Sequence, residues 1–203
     1  MRIAKNAHTS QRWRVDELTP DFRLEDVWAL PTPGGANDFP RLVELFASFD
    51  PSRSPSAATR ALFAIRWEVG RLLGWDGTEA GLGRRVATLR DRLPDDLRNG
   101  PSGPGSSELP FSPLYLTDRE CALEAANRTM HGVLHLGWVP DGSGGYRGQM
   151  AVLVKPNGLL GSAYMAAIMP FRYLIVYPAL MRTIERAWQA RTVPREAGAP
   201  VAA

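Results

Sequence analysis

Two strand-length segments, a glycine-rich turn between them and a long apolar stretch after them occupy Thr129 to Ala190, and this order restricts the fold more than any other feature. In Thr129 to Val139, Met130, Leu134, Leu136 and Trp138 fall on one side of an extended chain; Thr129, His131, Val133 and His135 fall on the other. Asp141-Gly142-Ser143-Gly144-Gly145 reads as a hairpin connection. Tyr146 to Lys155 then returns, with Tyr146, Met150, Val152 and Val154 on one face and Arg147, Gln149 and Lys155 on the other. Strands with one apolar and one polar face predict an antiparallel meander that needs a cover on one side. The stretch from Leu159 to Ala190 predicts that cover as a helix, kinked or interrupted at Pro170 and Pro178, where backbone bonds are lost. From Ile184 onward Glu185, Arg186 and Gln189 make it amphipathic.

The earlier chain supplies the remaining elements. Residues 1–20 read as an irregular lead-in. Phe22, Leu24, Trp28 and Leu30 alternate along a short strand in which Asp26 is the polar exception, and Pro31 to Gly35 stops it. Asp38 is placed to cap a helix whose apolar side is Phe39, Leu42, Val43, Leu45 and Phe46, with Pro40 in its first turn. A second helix is expected from Ala57 to Leu73, with Leu62, Ile65, Val69, Leu72 and Leu73 on one stripe and Phe63 and Trp67 beside it. A short helix follows at Arg84 to Arg92, and Asn99 to Leu109 is a Gly/Pro/Ser-rich loop. Phe111 to Leu116 and Cys121 to Asn127 read as strands, the second leading through the Asn127-Arg128 turn into the strong strand after it. The whole predicts an α+β domain over residues 21–191, with a disordered tail at 192–203.

Composition excludes several classes. With 203 residues, 44% of them hydrophobic, the chain is large enough to bury a full core without staples. Cys121 is the only cysteine, which rules out an intrachain disulfide and a cysteine-based metal cluster and suits a reducing compartment. Met1 to Arg14 lacks the apolar core of a secretion signal, so a cytoplasmic location is expected. A net charge of +3, with Lys5 and Lys155 as the only lysines and with Arg84 and Arg85 near Asp91, Asp95 and Asp96, gives no dense basic stripe; no nucleic-acid partner is expected. Leu159 to Met181, about 23 residues and about 34 Å as a helix, is long enough for a bilayer. It carries Arg172 near its centre, which is costly against lipid, so a core helix and no stable membrane insertion are expected.

The run from Lys155-Pro156-Asn157-Gly158-Leu159 through Tyr164 and Ile168 to Pro170-Phe171-Arg172 resembles the C-terminal signature of domain-of-unknown-function family 2867. There an Asn/Leu/Gly turn leads to Tyr, then Pro-Phe-His or Pro-Phe-Arg, then an apolar helix; here Arg172 stands where histidine is often found. Asp38 to Phe49 and Asn127 to Trp138 resemble it too. The family is similar to the START/birch-pollen-allergen (SRPBCC) superfamily. The resemblance implies a helix-grip (START-like) fold, a curved antiparallel sheet wrapped around a long C-terminal helix. It also implies a cavity of the kind that holds lipids, sterols or polyketides, and some members of that superfamily are cyclases or aromatases.

Candidate site residues follow. His131 and His135 would chelate a metal on a helix, but on a strand they stand about 13 Å apart, so no metal is expected. If the face carrying Leu134, Leu136 and Trp138 points inward, both histidines point outward or into a subunit contact, which leaves a homodimer open. Tyr164 and Arg172, about two turns apart, fall near one face of the closing helix. The plainer reading pairs Arg172 with Glu120, Glu124 or backbone carbonyls; the functional one anchors a carbonyl, carboxylate or phenolate at a cavity floor, with Tyr164 as a second donor or general acid. Trp28, Phe63, Trp67, Tyr115, Trp138, Met150, Ile168 and Phe171 are candidate cavity residues, though aromatic residues at such spacing commonly serve the core. Gly142 to Gly145 lacks the strand–glycine–helix order of a phosphate loop, so no nucleotide cofactor is expected. Three readings stay open: a carrier for a small apolar or aromatic ligand; a cyclase, aromatase or dehydratase using Tyr164, Arg172 and a histidine; and a scaffold that associates through the His131/His135 face.

Overall fold

The computed structural model describes residues 1–48, 82, 86–105, 111–127, 129–158, 166, 169–170 and 172–192. Two one-turn helices, α1 (Asn6–Thr9) and α2 (Val15–Leu18), precede β1 (Arg23–Ala29) and α3 (Phe39–Ala47). A 3-10 turn (Leu89–Arg92) and α4 (Asp95–Arg98) then lead to β2 (Ser112–Leu116), β3 (Glu120–Ala126), β4 (Met130–Pro140) and β5 (Tyr146–Pro156). A π-helical turn (Arg172–Val176) opens the C-terminal helix α5 (Tyr177–Thr192). The expected helix at Ala57 to Leu73 and the tail lie outside the described residues, as does most of the stretch from Leu159 to Phe171.

The architecture is α+β: one open antiparallel sheet in the order β1-β5-β4-β3-β2 with a C-terminal helix against it. The expected hairpin is its centre, an unbroken ladder from Met130↔Pro156 to Pro140↔Tyr146. The turn before it is fixed by Asn127, whose Oδ1 accepts from the backbone of Thr129 and Met130 and from the Thr129 hydroxyl.

Both sheet faces are covered, which the one-sided expectation missed. Over one face α3 and α5 pack Phe39, Leu42, Leu45, Tyr177, Ile184 and Trp188 against Trp28, Leu136, Trp138 and Met150. Tyr177, Ile184 and Trp188 recur at helical spacing and are all buried; each such side chain contributes roughly 1.5–3 kcal/mol. The π-helical turn lies between Pro170 and Pro178, where the helix was expected to be interrupted. Over the opposite face Trp13, Val15, Leu18, Leu89, Leu93 and Leu97 pack on Tyr115, Val133, Ala151 and Leu153. Residues 1–20, expected as a lead-in, thus form part of the core. Gly137 makes this possible: a Cβ there would stand 2.6 Å from the Trp13 ring.

Two local readings are corrected. The residues from Phe22 to Leu30 do not share one face. The register shifts between Leu24 and Asp26, so Phe22 and Leu24 pack toward Trp13 while Trp28 and Leu30 pack toward α5. Asp38 precedes α3 without a side-chain cap; its carboxylate accepts from the Gly35 backbone instead.

Candidate ligand-binding face

The α5 face is organised in rows across the sheet. One row runs Trp28–Met150–Leu136–Cys121 and is fully buried. The next runs Asp26–Val152–Leu134–Leu123, a span of about 14 Å over three strand spacings. Leu134 sits on the central strand β4 and Val152 on the adjacent interior strand β5, yet both remain partly exposed. Beyond Leu134 the row ends at a cavity of about 20 Å³ lined by Val43, Phe46, Phe111, Leu123, Leu134 and Leu136 among others, all apolar.

A polar cluster closes the opposite end. The bulge at Glu25 brings Asp26 onto this face, where its carboxylate is fully buried. Arg172 Nη2 donates to Asp26 Oδ2 at 2.9 Å and also to the Tyr177 hydroxyl. Tyr177 donates to Asp26 Oδ2 at 3.1 Å, and Tyr173 donates to Oδ1. The Arg2 guanidinium lies 3.7 Å from Oδ1 and 4.4 Å above the Tyr173 ring. The Trp28 ring lies 4.4 Å from that of Tyr177, tilted by 32°, and its indole N–H is buried with no partner among the described residues. Burial raises the Tyr177 pKa, and Asp26 adds to it against the opposing Arg172 charge. Burial, with the Asp26 hydrogen bond, pushes Tyr173 up to about 12. Both phenols therefore remain protonated donors at neutral pH. Burial disfavours the Arg172 charge, but Tyr177 and Asp26 outweigh it and its pKa is raised.

The opposite face carries two histidine–carboxylate chains. Glu120 accepts from the Arg14 backbone, the Tyr115 hydroxyl and His135 Nε2, and His135 Nδ1 lies 3.2 Å from His8 Nε2. Glu124 holds His131 at 2.9 Å and accepts from the Leu89 backbone and the Thr88 hydroxyl. Burial acts to raise both carboxyls, but the histidines and these donors outweigh it, and both pKa values are lowered.

These positions correct the sequence reading. His131 and His135 are 3% and 0% exposed, so they are neither at the surface nor offered to a second subunit, because residues 1–20 and 86–98 cover the face they share. The expected Arg172 partners Glu120 and Glu124 lie on that far face, and Asp26 takes their place. Tyr115 is on the far face as well. Trp28, Trp138, Met150 and Arg172 share the α5 face, with Trp138 and Met150 in its core. Phe63, Trp67, Tyr164, Ile168 and Phe171 lie outside the described residues. Sequence reasoning missed Arg2, Tyr173, Tyr177 and His8. Asp26 was visible as the one acidic residue in an apolar row, without a partner to give it meaning.

Among the described residues no three His, Cys, Asp or Glu side chains are grouped to hold a metal. No helix among them is long and apolar enough to cross a membrane.

The fold and this face define an α+β domain built on a five-stranded antiparallel sheet under a C-terminal helix. Residues 18–179 match the family described as a protein of unknown function (DUF2867), and the chain belongs to it. No match was found among curated proteins or among solved structures.

Proposed function

We propose that this protein is a START-like, helix-grip carrier that binds a small apolar or aromatic molecule, lipid-, sterol- or polyketide-like, on the α5 face of its sheet. The observation that carries this reading is the incomplete cover of Val152 and Leu134. Apolar residues at the middle of a sheet are normally sealed, and here they form a strip that joins an apolar cavity to a polar cluster. The lone, buried Cys121 is consistent with a cytoplasmic setting.

A second reading, conversion of such a ligand by a cyclase, aromatase or dehydratase reaction, has one observation in its favour. Two protonated phenols, a carboxylate and a guanidinium converge at one end of the strip. The three histidines lie across the sheet and do not take part.

Titration with the neutral fluorophore N-phenyl-1-naphthylamine tests binding, combined with native mass spectrometry of freshly purified protein. Saturable one-to-one uptake that is weakened by Leu134→Lys is expected. Absence of both saturable uptake and any retained small molecule would refute the reading.

A further inference from the structure

We infer that the occupant of this face is an amphipathic acid, whose apolar body lies along Val152 and Leu134 and whose single anionic head is received by Arg172 and Arg2. The inference rests on the proposed binding face and adds the chemistry of one end of the ligand.

Charge is the first ground. The cluster holds two guanidiniums, Arg172 and Arg2, against one buried carboxylate, Asp26. The neighbouring Glu25 is turned to Arg23, at 3.9 Å, and does not balance the second guanidinium. The cluster therefore carries one positive charge in excess, shared by side chains that are 15% (Arg172) and 52% (Arg2) exposed. An anion seated between the two answers this charge with charge-assisted hydrogen bonds at the largely buried Arg172, where water reaches least.

Donor capacity is the second. Arg172 makes both of its hydrogen bonds through Nη2, and its Nε and Nη1 make none with the described residues. Among the described residues the Arg2 side chain is held only by its long contact to Asp26 and by the Tyr173 ring. The protons of Tyr173 and Tyr177 are already given to Asp26, so the phenols have none left to donate. The Trp28 indole N–H, buried beside Tyr177, is a further donor without an acceptor among the described residues. The surplus on this end of the strip is thus entirely of donors, and it calls for an acceptor-only group. A carboxylate fits: it has no proton to place and matches the one excess charge. An alcohol or ester head would leave the charge unanswered.

The test uses the full chain with N-phenyl-1-naphthylamine as reporter, displaced by decanoate or by decanol, which share one apolar body. Decanoate is expected to displace the reporter at a concentration about tenfold lower, the size of one charge-assisted hydrogen bond. Arg172→Gln should remove that preference. Because this variant removes the closest cation from the buried Asp26, its fold is checked by circular dichroism. Arg2→Gln, at a half-exposed position, serves as the second variant and should reduce the preference. Equal displacement by decanoate and decanol, or a preference that survives both variants, overturns the acidic head and leaves the apolar face standing. Failure of the reporter to bind at all overturns the face, and the head with it.

Discussion

Acid should destabilise this protein well above the range where carboxylates titrate, and His8 is the cause. His8 is 1% exposed, and its Nε2 faces His135 Nδ1 at 3.2 Å. His135 Nε2 is in turn bonded to Glu120 at 3.0 Å, so both ring nitrogens of His135 are engaged. His8 Nδ1 then has no partner among the described residues, and a proton arriving there would be a buried, unanswered charge. Burial first, and the His135 charge second, lower the His8 pKa to about 3 against a smaller opposing effect of Glu120. An unfolded histidine titrates near 6.5. Between these values the unfolded chain takes up a proton that the folded chain refuses. The His8 contribution is therefore intact above about pH 6.5 and is lost as pH falls toward about 3. Linkage puts the loss at about 2 kcal/mol by about pH 5 and about 4 kcal/mol by about pH 3. Glu120 and Glu124, whose folded pKa values are lowered, keep their contributions above the unfolded glutamate value near 4.3 and lose them only below it. Urea denaturation at about pH 7 and about pH 5, on the natural chain and on His8→Gln, separates the two windows. The natural chain should lose about 2 kcal/mol more than the variant over this interval. Equal losses in both chains would refute the assignment.

Three further outcomes follow from other contacts. Arg172→Met should cost about 3–5 kcal/mol in urea denaturation by stranding Asp26, while Asp26→Leu combined with Arg172→Met should cost clearly less than the sum of the single changes; additive costs would show that the two do not act as a pair. Gly137→Val should lose about 1–3 kcal/mol and shift the tryptophan emission, because a Cβ at that position meets the Trp13 ring at 2.6 Å; an unchanged midpoint would mean that Trp13 is not seated there. Burial, with the nearby Glu120 charge, pushes the Cys121 thiol up to about 12, so a disulfide reagent at about pH 8 should label it only as fast as the protein opens, and immediate labelling of folded protein would contradict that burial.

The central hairpin was legible in the sequence because its signals are local: alternating residues, a glycine-rich turn, and an Asn127 side chain that closes the preceding turn on its own neighbours. The direction of its two faces was not. Leu134 and Trp138 on one side and Val133 and His135 on the other gave no reason to bury both. Burial of the histidines depends on Glu120 and Glu124 of the preceding strand and on a lead-in, distant in sequence, that carries His8 and Trp13. Arg172 was legible as a buried cation in need of a partner. The choice of Asp26 over Glu120 and Glu124 was not, because it is made by a single extra residue at Glu25 that reverses which side of β1 each later residue faces.

That extra residue links the fold to the proposed site. Had β1 kept its alternation from Leu24, Asp26 would fall on the Trp13 side, and Trp28 and Leu30 would follow it. The α5 face would then lose its carboxylate and the aromatic ring that lies beside Tyr177. Arg172 would keep the Tyr177 hydroxyl but lose its counter-charge, and a buried cation without one costs several kcal/mol. With the shift, the two faces take different work. The Trp13 side is closed by hydrogen bonds that reach from residues 8, 14 and 89 into the sheet and fix its position. The α5 side is clamped at one edge by Asp26 and Arg172 and at the helix centre by Ile184 and Trp188. Between these clamps Val152 and Leu134 stay partly uncovered. A sheet held rigid from behind can leave an apolar strip open in front without collapsing onto it, which is the physical condition for a preformed binding face.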